Sequence, residues 1–391
     1  MPGIYPLRGI VKYYDWGGTS FIPSLLQMGN DENLPFAEYW MGTHPLGISI
    51  VEMTDGKLVP LRELAGNLPY LFKVQEVKKM LSIQVHPSKE AAEIEFAREN
   101  AEDIPLDAPD RNYKDDNHKP EMLVALGNFW LLHGFKPDNE LKDILTNVTE
   151  LKVLLPLFNE SGYAGLYKYV MELPQEEVNS MLQPLVDKIV PIYKKGQLKK
   201  TSENFWAARA ALTFLNDHNI DRGIFSIYLF NIVHLKKGEG IFQAAGVPHA
   251  YLEGHNVELM ANSDNVLRGG LTSKHVDVKE LLKHVKCEAT YPLIIYGEKK
   301  SGEEIVYNTP APDFRLSVFE LEAGETTGFS PLSVEILLLT EGVIELDDDN
   351  IAFKLQQGNP SAVVLPGQPV YLAAAAKSTI FRASMPVNSG E

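Results

Sequence analysis

The hydrophobic period of this 391-residue chain changes twice, and that change limits the folds available to it. Side chains on a strand alternate with a period of two, whereas those on a helix repeat about every 3.6 residues. Short alternating runs dominate residues 1–136 and 223–287, but residues 137–222 show helical spacing. The clearest helical run places apolar side chains on one face: Val178, Met181, Leu182, Leu185, Val186 and Ile189. The pattern predicts a mainly β chain with a helical insertion at residues 137–222.

Residues 288–391 return to short apolar runs separated by turn residues. The spacing of these runs is typical of a β-sandwich or jelly roll. The last histidine of the chain is His284, so this C-terminal unit contains none. We therefore expect a second β domain that cannot form a histidine-based metal site by itself.

Composition argues against several classes of partner. The formal net charge is -16, which is unfavourable for binding nucleic acid or an anionic membrane. No apolar run is long enough to cross a bilayer, and the first residues lack the apolar segment of a signal peptide. The single cysteine, Cys287, cannot form an internal disulfide. We therefore expect a cytoplasmic protein. Because the chain as a whole is acidic, a site for an anionic substrate would need clustered lysines and arginines.

One strand-like stretch carries candidate metal ligands. Residues 81–87 read Leu-Ser-Ile-Gln-Val-His-Pro, so Gln84 and His86 fall on one face and both can reach one metal ion. Together with Glu121 and His249 they would form a mixed nitrogen and oxygen ligand set. Two imidazoles and a carboxylate suit Zn²⁺, and the same set would tolerate Fe²⁺. Spacing alone does not show that the four side chains converge.

Further polar residues are candidates for substrate contacts. Arg268 stands just before two glycines, where the backbone can come close to a ligand. Lys274 could bind an anion or could simply cap a helix that the sequence predicts to begin near residue 272. Trp16 and Tyr251 could line a ligand site, although buried aromatic residues more often belong to the core.

Several segments, in the same order along the chain, resemble the type I phosphomannose isomerase family. They are Tyr14-Asp-Trp-Gly-Gly18, Ala37-Glu-Tyr-Trp-Met-Gly-Thr-His-Pro45, residues 81–87, Arg111-Asn-Tyr-Lys-Asp-Asp-Asn-His-Lys-Pro-Glu121, Gly246-Val-Pro-His-Ala-Tyr-Leu252 and Met260-Ala-Asn-Ser-Asp-Asn-Val-Leu-Arg-Gly-Gly-Leu-Thr272. The resemblance implies a cupin-type fold. A discontinuous catalytic jelly roll would span residues 1–136 and 223–287, with a helical domain at 137–222 and a C-terminal jelly roll at 288–391.

The resemblance also implies functional residues. The zinc ligands would be Gln84, His86, Glu121 and His249, with one Zn²⁺ per chain. Arg268 matches the essential active-site arginine of the family. Positions near the substrate are matched by Ser82, Lys119, Tyr251, Glu258, Asp264 and Lys274. The family resemblance further suggests a monomer that acts on a hexose 6-phosphate.

The implied reaction interconverts mannose 6-phosphate and fructose 6-phosphate. A proton would move between C2 and C1 through an enediol, with zinc and Arg268 stabilising the charge on oxygen. The general base is left open among Glu258, Lys119 and a zinc-bound water. Two other functions would also fit the residues: an Fe(II) oxygenase built on two jelly rolls, and a non-catalytic, metal-containing cupin that binds a sugar phosphate.

Overall fold

The computed structural model describes residues 3–214, 219–299 and 304–386. Its first part is a series of short strands, as the alternating pattern predicts. These strands are β1 (Gly3–Arg8), β2 (Ile10–Lys12), β3 (Glu38–Gly42), β4 (Ile50–Glu52), β5 (Leu58–Pro60), β6 (Tyr70–Val77), β7 (Gln84–Val85), β8 (Glu121–Ala125) and β9 (Phe129–Phe135). The helices between them are α1 (Phe21–Leu26), α2 (Leu61–Ala65) and α3 (Lys89–Ala101).

The predicted helical insertion is confirmed. Its elements within residues 137–222 are α4 (Asp138–Asn147), a 3₁₀ helix (Thr149–Leu154), α5 (Leu155–Glu172), which is kinked at Gly162, α6 (Gln175–Lys194) and α7 (Glu203–Thr213). A further helix, α8 (Gly223–Leu229), follows beyond the expected boundary. Helix α6 buries Val178, Leu182, Leu185 and Ile189, the apolar stripe read from the sequence. That stripe packs into one large core with residues of the neighbouring sheet, such as Phe135.

Strands resume after the helices and continue to the last described residues. They are β10 (Phe230–Leu235), β11 (Gly240–Gln243), β12 (His249–Ala261), β13 (Leu267–Arg268), β14 (Glu298–Lys299), β15 (Glu304–Tyr307), β16 (Arg315–Leu321), β17 (Thr326–Phe329), β18 (Glu335–Glu341), β19 (Ile344–Asp347), β20 (Ala352–Leu355), β21 (Ser361–Leu365), β22 (Val370–Ala374) and β23 (Ser378–Ser384). Helix α9 (Val278–His284) separates β13 from β14.

Strand β12 organises the sheet on which the candidate site lies. It pairs antiparallel with β6, β7, β8 and β9 within one ten-stranded sheet. A second sheet runs in the order β14-β15-β16-β23-β18-β21-β1-β4-β5, and a third in the order β17-β22-β19-β20. The second and third sheets enclose a separate core that includes Leu337, Leu372 and Ile380. The mainly β fold with jelly-roll sheets and a helical part is therefore as expected.

Two local predictions are wrong and a third is only partly right. From the sequence, the run at residues 224–235 is predicted to be one strand, but its first part belongs to helix α8, whose residues are all buried. A short run that is almost entirely apolar cannot be assigned to helix or strand by its period. The helix expected near Thr272 begins at Val278 and is capped by the side chain of Asp277, so Lys274 lies in a loop. The stretch 81–87 is a strand only at Gln84–Val85.

The domain boundaries expected from the sequence stay a prediction. The second sheet includes β1, from the first expected domain, and β21, from the last. The Ser361 hydroxyl donates a 2.7 Å hydrogen bond to the carbonyl of Leu7, which is 354 residues away in sequence. Within residues 3–214, 219–299 and 304–386, no helix is both long and apolar enough to span a membrane.

Candidate active site

Three of the predicted metal ligands converge in the interior. Glu121 Oε1 lies 3.3 Å from His86 Nε2, and Glu121 Oε2 lies 3.4 Å from His249 Nε2. The ligand atoms of these three residues all lie within 4.8 Å of one another, and all three side chains are buried. This arrangement brings together two imidazole nitrogens and a carboxylate, which is a donor set typical of zinc.

Sheet register explains how residues so far apart in sequence come together. His249, at the start of β12, pairs with Gln84 of β7, and Gln84 also pairs with Arg268 of β13. Further along β12, Met260 pairs with Glu121 of β8. The fourth predicted ligand, Gln84, therefore sits directly between His249 and Arg268 in the sheet.

Backbone carbonyls fix the tautomer of both histidines. His86 Nδ1 lies 2.9 Å from the carbonyl oxygen of Asn265, and His249 Nδ1 lies 3.0 Å from that of Val247. A carbonyl only accepts, so each Nδ1 carries the hydrogen and each Nε2 presents a lone pair toward Glu121. Burial and the nearby Lys119 ammonium together lower the pKa of His86 to about 4, so the ring is neutral.

Asn265 is a supporting residue that the sequence analysis did not single out. It is fully buried, and its side-chain amide donates to the carbonyls of Asp115 at 2.8 Å and Asn117 at 2.9 Å. Its Oδ1 accepts from the backbone of Lys114 at 2.7 Å. Through its own carbonyl it also holds His86. One residue thus connects the loop before Glu121 to a candidate metal ligand.

A chain of buried polar groups runs from Glu121 into the sheet. The Tyr251 hydroxyl lies 3.3 Å from Glu121 Oε2 and donates a 2.6 Å hydrogen bond to Glu258. The other oxygen of Glu258 lies 2.5 Å from Lys73 Nζ, and Lys73 is also 3.4 Å from Glu38. These side chains form one connected network beneath the three ligands.

Electrostatics in this network follow from burial and pairing. Burial raises the pKa of Glu258, an effect that Lys73 partly offsets. Burial lowers the pKa of Lys73, but the carboxylates of Glu258 and Glu38 raise it by more, so Lys73 remains a cation. Burial and the Glu258 carboxylate together raise the pKa of Tyr251, whose hydroxyl therefore stays protonated and can donate.

The sequence analysis missed Lys73 and Glu38. All eight residues of β6 and all five of β3 are buried, so both charges lie inside the sheet. Charged side chains are rarely buried unless they are paired. Lys73 could have been identified because it interrupts the apolar run Tyr70-Leu-Phe and is followed two residues later by the polar Gln75.

Two adjoining cavities open above the network, and Leu81 and Gln84 line both. The smaller, of about 150 Å³, is bounded by the ligand group and the buried network. The larger, of about 1150 Å³, lies between the sheet and the helical part. The predicted residues in the smaller cavity are Lys119, Glu121, His249, Tyr251, Glu258 and Asp264. Those in the larger cavity are Trp16, Ser82, Arg268 and Lys274.

The structure thus brings all of the sequence-predicted site residues to one region. His86 lines neither cavity, because it is fully buried beside Glu121. Lys119 Nζ lies 3.1 Å from Glu121 Oε1, and Asp264 lies 3.5 Å from His44 Nε2. The geometry places these residues but does not test the roles assigned to them, which remain predictions.

Two cations in the larger cavity lack an acidic partner. Within the described ranges, neither Arg268 nor Lys274 forms an ion pair. Burial lowers the pKa of Arg268, and burial together with Arg268 lowers the pKa of Lys274. An unpaired, partly buried guanidinium beside an unpaired ammonium is unfavourable without an anion. In a chain of net charge -16, this local positive charge predicts that the cavity binds an anion.

A second group of ligand-type side chains does not resemble a metal site. Glu95, Glu280 and His284 also lie within 4.8 Å of one another. Tyr113 already donates to Glu280 at 2.7 Å, and Lys283 lies 2.7 Å from its other oxygen. Those partners satisfy the carboxylate, so we interpret this group as a network that anchors α9.

Comparisons with known proteins point to one family. Residues 4–138 match the family model for phosphomannose isomerase type I, catalytic domain. The chain is 36% identical to the mannose-6-phosphate isomerase of Escherichia coli (strain K12) over 381 residues, covering 92% of this chain and 94% of the relative. It is 33% identical to that of Homo sapiens over 389 residues, covering 88% of each.

Solved structures agree with this. A mannose 6-phosphate isomerase bound with zinc and yttrium superposes with a TM-score of 0.87 at 32% identity, covering 98% of this chain and 100% of the other. The Salmonella typhimurium enzyme bound to its substrate, f6p, and to zinc gives a TM-score of 0.86 at the same identity and coverage.

Proposed function

The chain belongs to the type I mannose-6-phosphate isomerase family, and from that premise we propose that it interconverts mannose 6-phosphate and fructose 6-phosphate with one Zn²⁺ and through an enediol. It is therefore an aldose–ketose isomerase. The observation that best supports the proposal is the position of the unpaired Arg268. It stands next to Gln84, which in turn neighbours His249 of the ligand group. A charge-stabilising cation and an anion-binding wall thus adjoin a candidate metal centre.

The donor set fits zinc. We assign the metal to Gln84, His86, Glu121 and His249, since both imidazoles present Nε2 lone pairs and Glu121 supplies a carboxylate. Gln84 would add a neutral amide oxygen. When bound, Zn²⁺ would act as a Lewis acid on a substrate oxygen, an effect worth several kcal/mol in enzymes generally.

We assign the movement of the proton to Glu258. Its carboxylate lines the smaller cavity and is held by Tyr251 on one oxygen and Lys73 on the other. Burial raises its pKa, which brings a carboxylate nearer to the range useful for acid–base catalysis at neutral pH. Lys119 is paired with Glu121, so we assign it to orient a substrate oxygen as a charged donor.

The larger cavity would hold the remainder of the substrate. Arg268 would stabilise negative charge that develops on the sugar oxygens, because a guanidinium fixed beside the reacting carbons needs little reorganisation. Lys274 and Ser82 would bind the phosphate. Trp16 would form an apolar wall for the sugar, with Asp264 as a polar contact on the side of the smaller cavity.

Turnover with and without metal tests the proposal directly. Purified protein should convert mannose 6-phosphate to fructose 6-phosphate, lose that activity after chelation and regain it with added Zn²⁺. In D₂O, deuterium should appear at C2 of mannose 6-phosphate or C1 of fructose 6-phosphate, since a proton is removed and returned. Turnover that continues without metal would contradict zinc dependence. Deuterium at either carbon would support the enediol against a hydride shift, which moves hydrogen directly between the two carbons without exchange with solvent.

No observation favours the alternatives. An Fe(II) oxygenase would not need the two cations of the larger cavity, and the curated relatives are named isomerases rather than binding proteins. The monomeric state and the cytoplasmic location expected from the sequence stay predictions.

A further inference from the structure

The carboxylate of Asp221 forms hydrogen bonds with the backbone of the loop that follows Arg268. Its carboxylate accepts hydrogen bonds from the backbone N–H groups of Leu271 at 2.7 Å and Thr272 at 3.1 Å. It also accepts a 2.7 Å bond from the backbone of Gly223, at the start of α8. Asp221 therefore connects the end of the helical insertion to the Arg268 loop, which we define as residues 268–274.

The Arg268 loop has a backbone that needs such support. Leu271 has φ +54° and Gly270 has φ +113°. A left-handed conformation is unfavourable for a residue other than glycine and persists only where its surroundings enforce it. A Cβ at Gly270 would lie 2.6 Å from the backbone of Gly223, so loop and helix are in direct backbone contact. The bonds to Asp221 stabilise this close approach.

The opposite side of the loop is held by the strand that carries Gln84. The Gly269 N–H donates to the carbonyl of Ile83 at 2.9 Å, and the Ile83 N–H donates to that of Gly270 at 3.0 Å. The Arg268 side chain itself has no ion-pair partner within the residues described. Its position is therefore set by its backbone, which Ile83 holds on one side and Asp221 on the other.

We propose that Asp221 is a positioning residue for the isomerase reaction, which fixes the loop that carries Arg268 and Lys274 into the larger cavity. Asp221 itself lines the larger cavity, but its carboxylate is bonded to three backbone N–H groups, so the helical insertion contributes to the active site through the loop that this residue holds. The inference rests on the proposed role of Arg268 in charge stabilisation.

A double-mutant cycle tests this role. Asp221→Asn keeps the size of the side chain but replaces one acceptor oxygen with a donor that opposes the backbone N–H groups. We expect kcat to fall between about ten- and a hundred-fold, with a smaller change in KM, because small displacements of catalytic groups have effects of this size. In an Arg268→Lys background the same substitution should have much less effect, because residues that act through one another are not additive.

Glu253→Gln provides a matched control. Glu253 on β12 bonds Lys200 and Arg209, so it also connects the helical insertion to the catalytic sheet, but it does not contact the Arg268 loop. We expect this variant to lower thermal stability while kcat stays within two-fold in either background. If Asp221→Asn does not fold, Asp221→Glu keeps both acceptor oxygens but displaces them by one methylene, and it should likewise lower kcat more than it changes KM.

The outcomes separate the two proposals. Equal losses from Asp221→Asn in the two backgrounds, or an unchanged kcat in a folded variant, would overturn the positioning role while the isomerase function stands. An Arg268→Lys protein with full activity would overturn it as well. Absence of mannose 6-phosphate turnover in the zinc-replete unsubstituted protein would instead reject the proposed function itself.

Discussion

Tyr251 donates a 2.6 Å hydrogen bond to Glu258, and the same hydroxyl lies 3.3 Å from Glu121. One phenol therefore bridges the carboxylate that we assign to proton transfer and the carboxylate that we assign to the metal. Because its hydrogen is donated toward an acid, Tyr251 stabilises the ionised form of Glu258.

Tyr251→Phe removes this donor with little change in shape. Hydrogen bonds to charged groups contribute about 1.5–3 kcal/mol, so we expect kcat to fall about ten- to a hundred-fold. Loss of the donor should also raise the pKa of Glu258, which moves the acid limb of the pH dependence of kcat/KM to higher pH. Kinetics across pH would measure both effects, with zinc content as the control. An unchanged acid limb would count against Glu258 as the group that titrates.

His86→Ala should remove the metal. The ring is fully buried and its Nε2 faces Glu121, so its loss leaves the centre without one of its two imidazoles. Elemental analysis after dialysis should show little bound zinc, and activity should return only in part at high added Zn²⁺. Lys274→Ala, which lies outside the ligand group, should retain its zinc. Full zinc retention by His86→Ala would show that the metal is held elsewhere.

Lys274→Ala should weaken substrate binding more than it slows chemistry. Its ammonium lines the larger cavity without an acidic partner in the described part of the chain. Removing a charged contact to phosphate should raise KM about ten- to a hundred-fold, with kcat little changed. Lys79 lines the same cavity and is likewise exposed, but it lies 3.9 Å from Asp15, so Lys79→Ala should change KM less than two-fold. Equal effects from the two lysines would argue against a specific phosphate site at Lys274.

The buried ring of His133 should make stability depend on pH. Burial and the adjacent His249 together lower its pKa to about 4, from an ordinary value near 6.5. Between pH 6.5 and 4, His133 is therefore protonated in the unfolded chain but stays neutral in the folded chain. The free energy of unfolding should fall by up to about 1.4 kcal/mol per pH unit from this residue as the pH drops from 6.5 to 4.

Comparison with His133→Asn isolates this contribution, because all other groups titrate in both proteins. Urea unfolding at several pH values should give a shallower slope for the variant between pH 6.5 and 4, and parallel slopes above pH 7. Parallel curves throughout would mean that His133 titrates in the folded state as it does in the unfolded chain.

Arg382→Met should destabilise the protein without changing its chemistry. Arg382 bonds Glu335 at 2.6 and 2.8 Å and Glu304 at 3.0 Å, and its side chain is 7% exposed. Breaking a buried ion pair leaves uncompensated charge and costs about 3–5 kcal/mol. Thermal unfolding would measure the loss, and kcat per folded molecule should stay the same. The double variant Arg382→Met with Glu335→Leu should recover part of the stability.

Motifs located the ligand group well, because metal ligands are drawn from few residue types and their order along the chain resembled one family. Their convergence could not be derived from spacing, since it depends on the register between β7, β8 and β12. The apolar stripe of α6 was readable for a different reason: helical periodicity is a local property and its buried face followed directly.

Other parts of the site depend on burial, which the alternating pattern did not show. Lys73 and Glu38 lie on strands that are buried on both faces, so their charges are internal and paired rather than solvated. Helix α8 was read as a strand because a wholly buried apolar run carries no period. Asp221 lies in a loop, and the role that we propose for it depends on hydrogen bonds to backbone N–H groups. A pattern of side chains in the sequence does not indicate such bonds.

The pairing of β1 with β21 has a kinetic consequence. When the first strand leaves the ribosome, its partner, some 354 residues later, has not yet been made. At a translation rate of about 5–20 residues per second, one edge of β1 stays unpaired for roughly 20–70 seconds. Unpaired strand edges promote aggregation. The second sheet can therefore close only after translation of β21, and production of this protein in quantity should be sensitive to chaperone supply and to the speed of synthesis.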